Sequence, residues 1–410
     1  MFKKINFIAI NILSSGIEFG RSVLFLKYMP DSHLGQILLF QAIIAMLGLA
    51  QIGLFNGGLR IFSIDSDSYL YKTVNNNNVS FIVCVTLLLT LLALLGYFFF
   101  DYDLLISILA ILCGGFALLQ NWFTNLLIAR QKLTAINKYH FVSAVVSVIL
   151  AFSIFQIGII GALISISSGY LMFVSMFLIE QKEYFPIKWL KIDFAVIKKT
   201  LFYGFIPYLS GIAVILNNQI DRFFISNYIS LEALGQFYLA VTFITIFNMV
   251  PNNLNSLFSP STINNYACHK LKETVKATKQ YFWILLLYSA LASLCLVLFG
   301  EKVISFIFPN KLDQLKYLFV ILPGVVALTL SKPFSLILYV ALNLKSILWS
   351  NIFSLLTYVG ILISLLLLQR FTLDNIAWGK SMQGIIVSVF LVFSVAVSWK
   401  KISQFSYLNK

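Results

Sequence analysis

Three basic side chains, two carboxylates and a set of amides stand inside long apolar stretches of this chain. Glu18 and Arg21 lie late in the first stretch, and Asp221 and Arg222 late in one that opens the second half. Lys332 sits in the middle of a third, directly before Pro333. A charge at bilayer depth is costly, so each of these is a candidate functional group by default. Glu18 and Arg21 are spaced i, i+3 and share a helix face. Two readings are open for them: a neutralised pair that lets the helix insert, or groups lining a cavity. Arg21 is 17 residues beyond Lys4, about 26 Å along a helix, which places it in the outer part of a bilayer where snorkelling lowers its cost.

Asp221 and Arg222 are neighbours and point in different directions on a helix, with Asn217 and Asn218 as their i, i+4 partners. Either the helix ends at Gln219 and both charges stand in water, or the following FFISNYI keeps them helical; the sequence leaves this open. Proline removes a backbone donor and often kinks membrane helices beside cavities, which makes Lys332 a candidate ligand-facing lysine. The segment FNMVPNNLNSLFSP carries Asn248, Pro251, Asn252, Asn253, Asn255 and Ser256. So many amides need partners in lipid, and a hydrated, polar-lined passage with Asn217, Asn218, Asn248 and Asn252 on its walls would supply them. Lys380 is expected to snorkel and His140 to sit at an interface.

This set can bind but has no evident reaction to perform. There is no GxxxxGK[ST] phosphate loop, no HExxH, no GxSxG elbow and no paired carboxylates in a soluble segment. The expectation is a protein that is not an enzyme, with no catalytic residue, no metal and no cofactor.

The elements that must position these groups are membrane helices. Sixty per cent hydrophobic residues, eleven per cent charged and a mean hydropathy of +0.91 exclude an ordinary soluble domain. Runs able to cross a core of about 30 Å fall near 5–27, 34–59, 79–100, 104–129, 139–157 and 160–180. A further six fall near 197–226, 234–258, 280–299, 316–341, 346–369 and 375–399. The basic start and apolar centre of MFKKINFIAINILSSG resemble a signal peptide, but the apolar run resumes to about Lys27 and reads as a retained first helix.

With the N-terminus inside, twenty lysines and arginines fall on the cytoplasmic side and six on the other. That asymmetry supports an even helix count and two cytoplasmic termini. The net charge of +14 is therefore a topology signal, and no nucleic-acid partner is expected. Cys84, Cys113, Cys268 and Cys295 show neither metal spacing nor a disulfide framework. Asn75 to Asn78 is read as a solvated turn in a cytoplasmic loop.

LGQILLF (34–40) and LGQFYLA (234–240) lie 200 residues apart, near half of the 410-residue chain. Arg21 precedes Gly35 by 14 positions and Arg222 precedes Gly235 by 13. The chain thus reads as two copies of one unit, a habit of secondary transporters. The expected fold is all-α: about twelve transmembrane helices in two six-helix bundles, related by a pseudo-two-fold axis along the membrane normal. The bundles are assigned to 1–180 and 197–399, with a basic cytoplasmic linker at 181–196 containing Pro186 and a cytoplasmic tail at 400–410.

The stretches LGQILLFQAIIAMLGLAQIGLFNGGLR (34–60) and YGFIPYLSGIAVILNNQIDRFFISNYISLEALGQFYLA (203–240) resemble Wzx-type polysaccharide flippases of the multidrug/oligosaccharidyl-lipid/polysaccharide (MOP) exporter superfamily. The longer stretch is similar to that family's apolar-Pro opening to helix seven, an Asp-Arg pair, then Leu-Gly before helix eight. The resemblance implies a MATE/MOP-like fold in a bacterial inner membrane. It also implies alternating-access transport of undecaprenyl-diphosphate-linked oligosaccharide units to the periplasmic leaflet for O-antigen or capsule, with ion coupling. A glycan polymerase and a chain-length regulator are the implied partners besides the lipid bilayer. Matching positions for a cationic cavity are Arg21 and Arg222; Lys332 joins them from burial logic alone. Glu18 and Asp221 are the acids available for ion or proton coupling, or each simply pairs its arginine.

Two other functions fit a chain of this composition. A multidrug exporter of the same fold moves cations and wants acids in its cavity, whereas bases here are at least as numerous. A Wzy-type glycan polymerase usually carries a large basic outer loop, and no outer loop here exceeds about 20 residues. A channel or structural membrane protein is disfavoured by the two-lobe repeat.

Overall fold

A computed structural model of the chain describes residues 2–64, 68–97, 103–182, 193–341 and 343–405. No strand occurs among them. The helices are α1 (Phe2–Tyr28), α2 (Asp31–Leu47), α3 (Leu54–Ile64), α4 (Ser68–Gly96), α5 (Leu104–Ala129), α6 (Leu133–Ala151), α7 (Ile154–Ile157) and α8 (Ile159–Glu180). They continue as α9 (Phe194–Tyr228), α10 (Leu231–Gln236), α11 (Tyr238–Ala267), α12 (Leu271–Ile307), α13 (Leu315–Val340), α14 (Leu344–Leu367) and α15 (Leu373–Phe405). Most of the linker 181–196, Pro186 with it, and the end of the 400–410 tail lie outside the described residues.

Among the described residues, eleven segments are long and apolar enough to cross a bilayer, and the chain is a multi-pass membrane protein. The first helix is 27 residues long, but its described part carries Glu18, Arg21 and Lys27 and it is not one of the eleven. Burial runs opposite to that of a soluble helix. On α12, Trp283, Leu287, Leu291, Leu294 and Leu298 form an exposed apolar stripe, while Thr274, Thr278, Tyr281, Leu285 and Ser289 are buried. In lipid, small and polar side chains go to the helix contacts and apolar ones face the acyl chains.

The chain packs as two compact units. The first comprises Met1–Met29 and Gln36–Phe223; the second, Pro30–Gly35 and Phe224–Lys410. The first has a core of Phe55, Phe62, Trp122, Phe123, Tyr139, Phe173 and Phe177, in which Phe123 and Phe177 stack at 3.9 Å. The second packs Tyr281, Leu285, Leu336 and Val340 in one cluster and Leu338, Val387, Leu391 and Val395 in another.

Two features differ from the sequence reading. The run 34–59 is not one straight helix. It breaks at a 3-10 turn (Gly48–Gln51), Ile52 takes φ 49° and Gly53 φ 88°, and α3 then begins. Tyr208 Oη donates to the Leu49 carbonyl at 2.6 Å, so part of the break is satisfied from α9. A hydropathy run does not register such a break, because its average stays apolar through it although Gln51 is polar.

The other correction concerns Asn75–Asn78, which is not a solvated loop. These residues lie inside α4, and Asn75, Asn77 and Asn78 are buried at 3%, 2% and 1% exposure. Trp122 Nε1 donates to Asn75 Oδ1 at 2.7 Å. The Asn77 amide donates to the Asp193 carbonyl (3.1 Å) and accepts from the Asp193 N–H (2.9 Å), fastening the start of α9 to α4. Asp193 in turn accepts from the N–H groups of Ala195 and Val196, the N-cap role expected of an aspartate there.

The LGQ repeat has a structural counterpart. A Cβ on Gly35 would strike the Leu231 carbonyl, and one on Gly235 would strike the Asp31 carbonyl. Each repeat glycine therefore lets its helix approach the first turn of the other's, which no larger residue allows. At this end Asp31 accepts from Lys311 Nζ and from Gln314 Nε2 (3.1 Å). The Lys311 side chain is only 10% exposed.

If Asn77 fastens α9, Asn77→Ala takes the acceptor from the Asp193 N–H, while the Asp193 carbonyl keeps the Ile197 N–H, and should cost about 1–2 kcal/mol. This would be seen as a lowered thermal unfolding midpoint in detergent, with Asn76→Ala close to wild type.

Candidate functional site

The first unit holds Arg21, Glu18, Asp221, Arg222, Asn217 and Asn218; the second holds Lys332, Asn248 and Asn252. Each group is built from different physics.

Arg21 projects from α1 onto α6, where its Nη1 donates to Ser147 Oγ. Ser147 is itself clasped to α8: its hydroxyl donates to the Ser165 carbonyl (2.8 Å) and the Ser165 hydroxyl donates back to the Ser147 carbonyl (2.6 Å). Small residues recur every fourth position on both helices, at Ser143, Ser147 and Ala151 and at Gly161, Ser165 and Gly169. That spacing lets helix backbones approach closely and exchange such bonds. Among the described residues Arg21 makes no ion pair with Glu18. A serine anchors it, and its buried Nε has no hydrogen-bond partner among the described residues. Sequence reasoning missed Ser147; the four-residue spacing of small residues was the available signal.

Of the two readings of Asp221 and Arg222, the structure has the continuous helix: α9 runs on to Tyr228. Asp221 and Asn217 are buried, at 5% and 7% exposure, whereas Asn218 is exposed. Arg222 Nη1 donates to the Leu38 carbonyl of α2 at 3.3 Å, and Asp221 Oδ1 accepts the Arg222 N–H at 2.9 Å. Two further buried acceptors in this unit, Gln36 Oε1 of the first LGQ and Gln219 Oε1, have no hydrogen-bond partner among the described residues.

In the second unit the structure brings together three residues singled out separately in the sequence. Lys332 Nζ donates to Asn252 Oδ1 at 2.7 Å and to Asn248 Oδ1 at 3.3 Å. Both amides stand on α11, spaced i, i+4 about Pro251, and so share the face turned to Lys332. Asn248 is oriented in turn by its own Nδ2, which donates to the Ile244 carbonyl at 3.0 Å. Lys332 precedes Pro333 in α13. Neutral carbonyl oxygens solvate the ammonium without cancelling it. Among the described residues no carboxylate pairs with it.

Other candidates have plainer surroundings. Lys380 lies over the Tyr358 ring at 4.8 Å. His140 is half-buried beside Phe173 and within 3.5 Å of Gln120. No group of three or more His, Cys, Asp or Glu able to hold a metal occurs among the described residues.

Polar groups and prolines thus stand inside the membrane-length helices of both units. The comparison with solved structures assigns the fold. The chain matches an inward-facing multidrug resistance MATE family transporter of the MOP superfamily with a TM-score of 0.73 and 13% identity, over 99% of this chain and 100% of that one. It matches the lipid II flippase MurJ in an inward closed conformation with a TM-score of 0.71 and 17% identity, over 98% and 90%. A Vibrio cholerae MATE transporter, VcmN, matches with a TM-score of 0.69 and 13% identity, over 98% and 96%. No protein-family model and no curated sequence relative matches the chain. The fold is thus that of the MATE/MOP transporters, as the sequence led us to expect.

Asn252→Leu leaves the Lys332 ammonium one acceptor short and should destabilise the protein by about 1–3 kcal/mol. Adding Lys332→Leu should recover most of the loss. A double-mutant cycle on unfolding midpoints checks this, and additive losses would show that the contact is incidental.

Proposed function

We propose that this chain is a flippase that carries undecaprenyl-diphosphate-linked oligosaccharide repeat units from the cytoplasmic to the periplasmic leaflet by alternating access, serving O-antigen or capsule synthesis. The observation that carries this reading is the state of Lys332: a lysine in a membrane helix, solvated by Asn248 and Asn252. Arg21, anchored by a serine, supports it from the first unit. A diphosphate needs fixed positive charge, and the guanidinium fork suits phosphate oxygens. Sugar hydroxyls need buried polar partners, of which Asn217, Gln36 and Gln219 are examples. The lipid tail can stay in the bilayer throughout. That a lipid II flippase shares the fold supports a lipid-linked substrate, and the MATE neighbours support transport by the same architecture.

In this reading Arg21, Arg222 and Lys332 meet the diphosphate, with Arg222 also bracing α2 through the Leu38 carbonyl. Asp221, the buried carboxylate of the set, is the first choice for exchanging a coupling proton or sodium ion, and Glu18 the next. Both termini and the 181–196 linker face the cytoplasm of a bacterial inner membrane, the chain divides by repeat into 1–180 and 197–399, and a glycan polymerase and chain-length regulator act beside it. The protein performs transport and no covalent chemistry.

Deleting the gene in its source organism should abolish the surface glycan and leave single lipid-linked units in the cytoplasmic leaflet, with rescue by the wild-type gene. Lys332→Ala and Arg21→Ala should rescue at least tenfold less well at equal protein level. Single units that reach the outer leaflet but are never extended would assign the chain to polymerisation instead. An unchanged glycan with altered sensitivity to cationic dyes would assign it to drug export.

A further inference from the structure

The asparagines that hold Lys332 sit on a helix interrupted at the position between them. Pro251 has no N–H, so it cannot return the hydrogen bond that the Phe247 carbonyl, four residues earlier, would otherwise receive. In lipid an unsatisfied carbonyl costs several kcal/mol in principle, and helix breaks persist only where a neighbour resupplies the donor. Here the donor is Tyr288 of α12, whose hydroxyl meets the Phe247 carbonyl at 2.9 Å. Seven residues earlier on the same face of α12, the Tyr281 hydroxyl donates to the carbonyl of Pro251 itself at 3.1 Å.

Both rings are seated on aromatic residues of α11. Tyr281 stacks on Phe258 with centroids 5.0 Å apart and planes 16° from parallel, and Tyr288 packs against Phe247 at 5.3 Å. Tyr281 is fully buried. Two tyrosines of α12 thus hold α11 on either side of its proline, while Asn248 and Asn252, three residues before Pro251 and one after it, reach Lys332 on α13.

We propose that Tyr288 is a positioning residue for the Lys332 site: it gives the Phe247 carbonyl the hydrogen that Pro251 withholds, and so holds the stretch of α11 that places both asparagine carbonyls on the ammonium. It touches no ligand. Its effect on binding passes through Asn248 and Asn252, and its effect on stability exists only while residue 251 is a proline. The binding part of this inference rests on the anionic-substrate reading above, whereas the stability part does not.

The full chain in lipid nanodiscs tests both parts. Thermal unfolding midpoints are measured without ligand for wild type, Tyr288→Phe, Pro251→Ala and the double variant. Tyr288→Phe should lower the midpoint by several degrees in the proline background and by less than a third of that in Pro251→Ala, where an N–H is available again within the helix. Equal losses in both backgrounds, or no loss in either, would overturn the proposal and leave Tyr288 a packing residue. Should Pro251→Ala not fold, Tyr288→Phe is paired with Lys332→Ala, and affinity for undecaprenyl diphosphate is read beside the midpoint. Tyr288→Phe should weaken binding at least threefold when Lys332 is present and by less than 1.5-fold when it is absent, with the midpoint falling alike in both. A threefold loss independent of Lys332 would overturn the positioning role. Wild-type protein that does not bind undecaprenyl diphosphate would count against the flippase reading alone, because the ligand-free cycle stands apart from it.

Discussion

Inside a hydrocarbon core a hydrogen-bonding group has only the rest of the chain to turn to, and much of this structure answers to that constraint. The Phe247 carbonyl, released by Pro251, is met by a tyrosine from the next helix. The Leu49 carbonyl, at the break between α2 and α3, is met by another, Tyr208. Asn77 closes both backbone groups of Asp193 with one amide, and Ser147 and Ser165 exchange bonds across two helices. In each case a helix irregularity or a close crossing is matched by a polar side chain from a neighbouring element. The same rule governs the charges. Lys332 and Arg21 are held by neutral oxygens rather than by carboxylates, so their burial is eased while their charge survives. A structural ion pair would have neutralised them. Lys311 and Asp31 show that other solution within the same chain.

How much of this could be read beforehand depends on what the signal averages. Apolar runs gave the helices well, because a helix that faces lipid shows its character over some twenty residues at once. The same averaging hid the turn at Gly48–Gln51, where LGLAQIG, Gln51 apart, is apolar whether straight or broken. It also misplaced Asn75–Asn78, since four asparagines in a row read as a loop until a tryptophan and a helix start are found to use them. Lys332 was legible because a lysine beside a proline is conspicuous in an apolar run, and Asn248 and Asn252 because their amides are dense. That these three residues meet was not legible, because it depends on how α11 and α13 pack. Ser147 escaped notice for a related reason: a single serine is ordinary in a membrane helix, and only its spacing with other small residues separates it from its neighbours.

The LGQ repeat shows a third kind of legibility. As sequence it is a three-residue echo across 200 positions. In the structure the two glycines are each pressed on a backbone carbonyl of the other's first turn. A side chain at either position would hold the two helix starts apart. The echo therefore records a steric requirement imposed twice by one contact, and this gives a short motif a physical reason to recur within one chain.

The bond from Tyr288 to the Phe247 carbonyl has a consequence on the timescale of descent. A hydroxyl that is needed only because a neighbouring helix lacks one N–H is under selection only in lineages that keep the proline. Once position 251 regains an amide hydrogen, phenylalanine serves at 288 as well as tyrosine does. The two positions, 37 residues apart and on different helices, should therefore drift or hold together as one heritable trait.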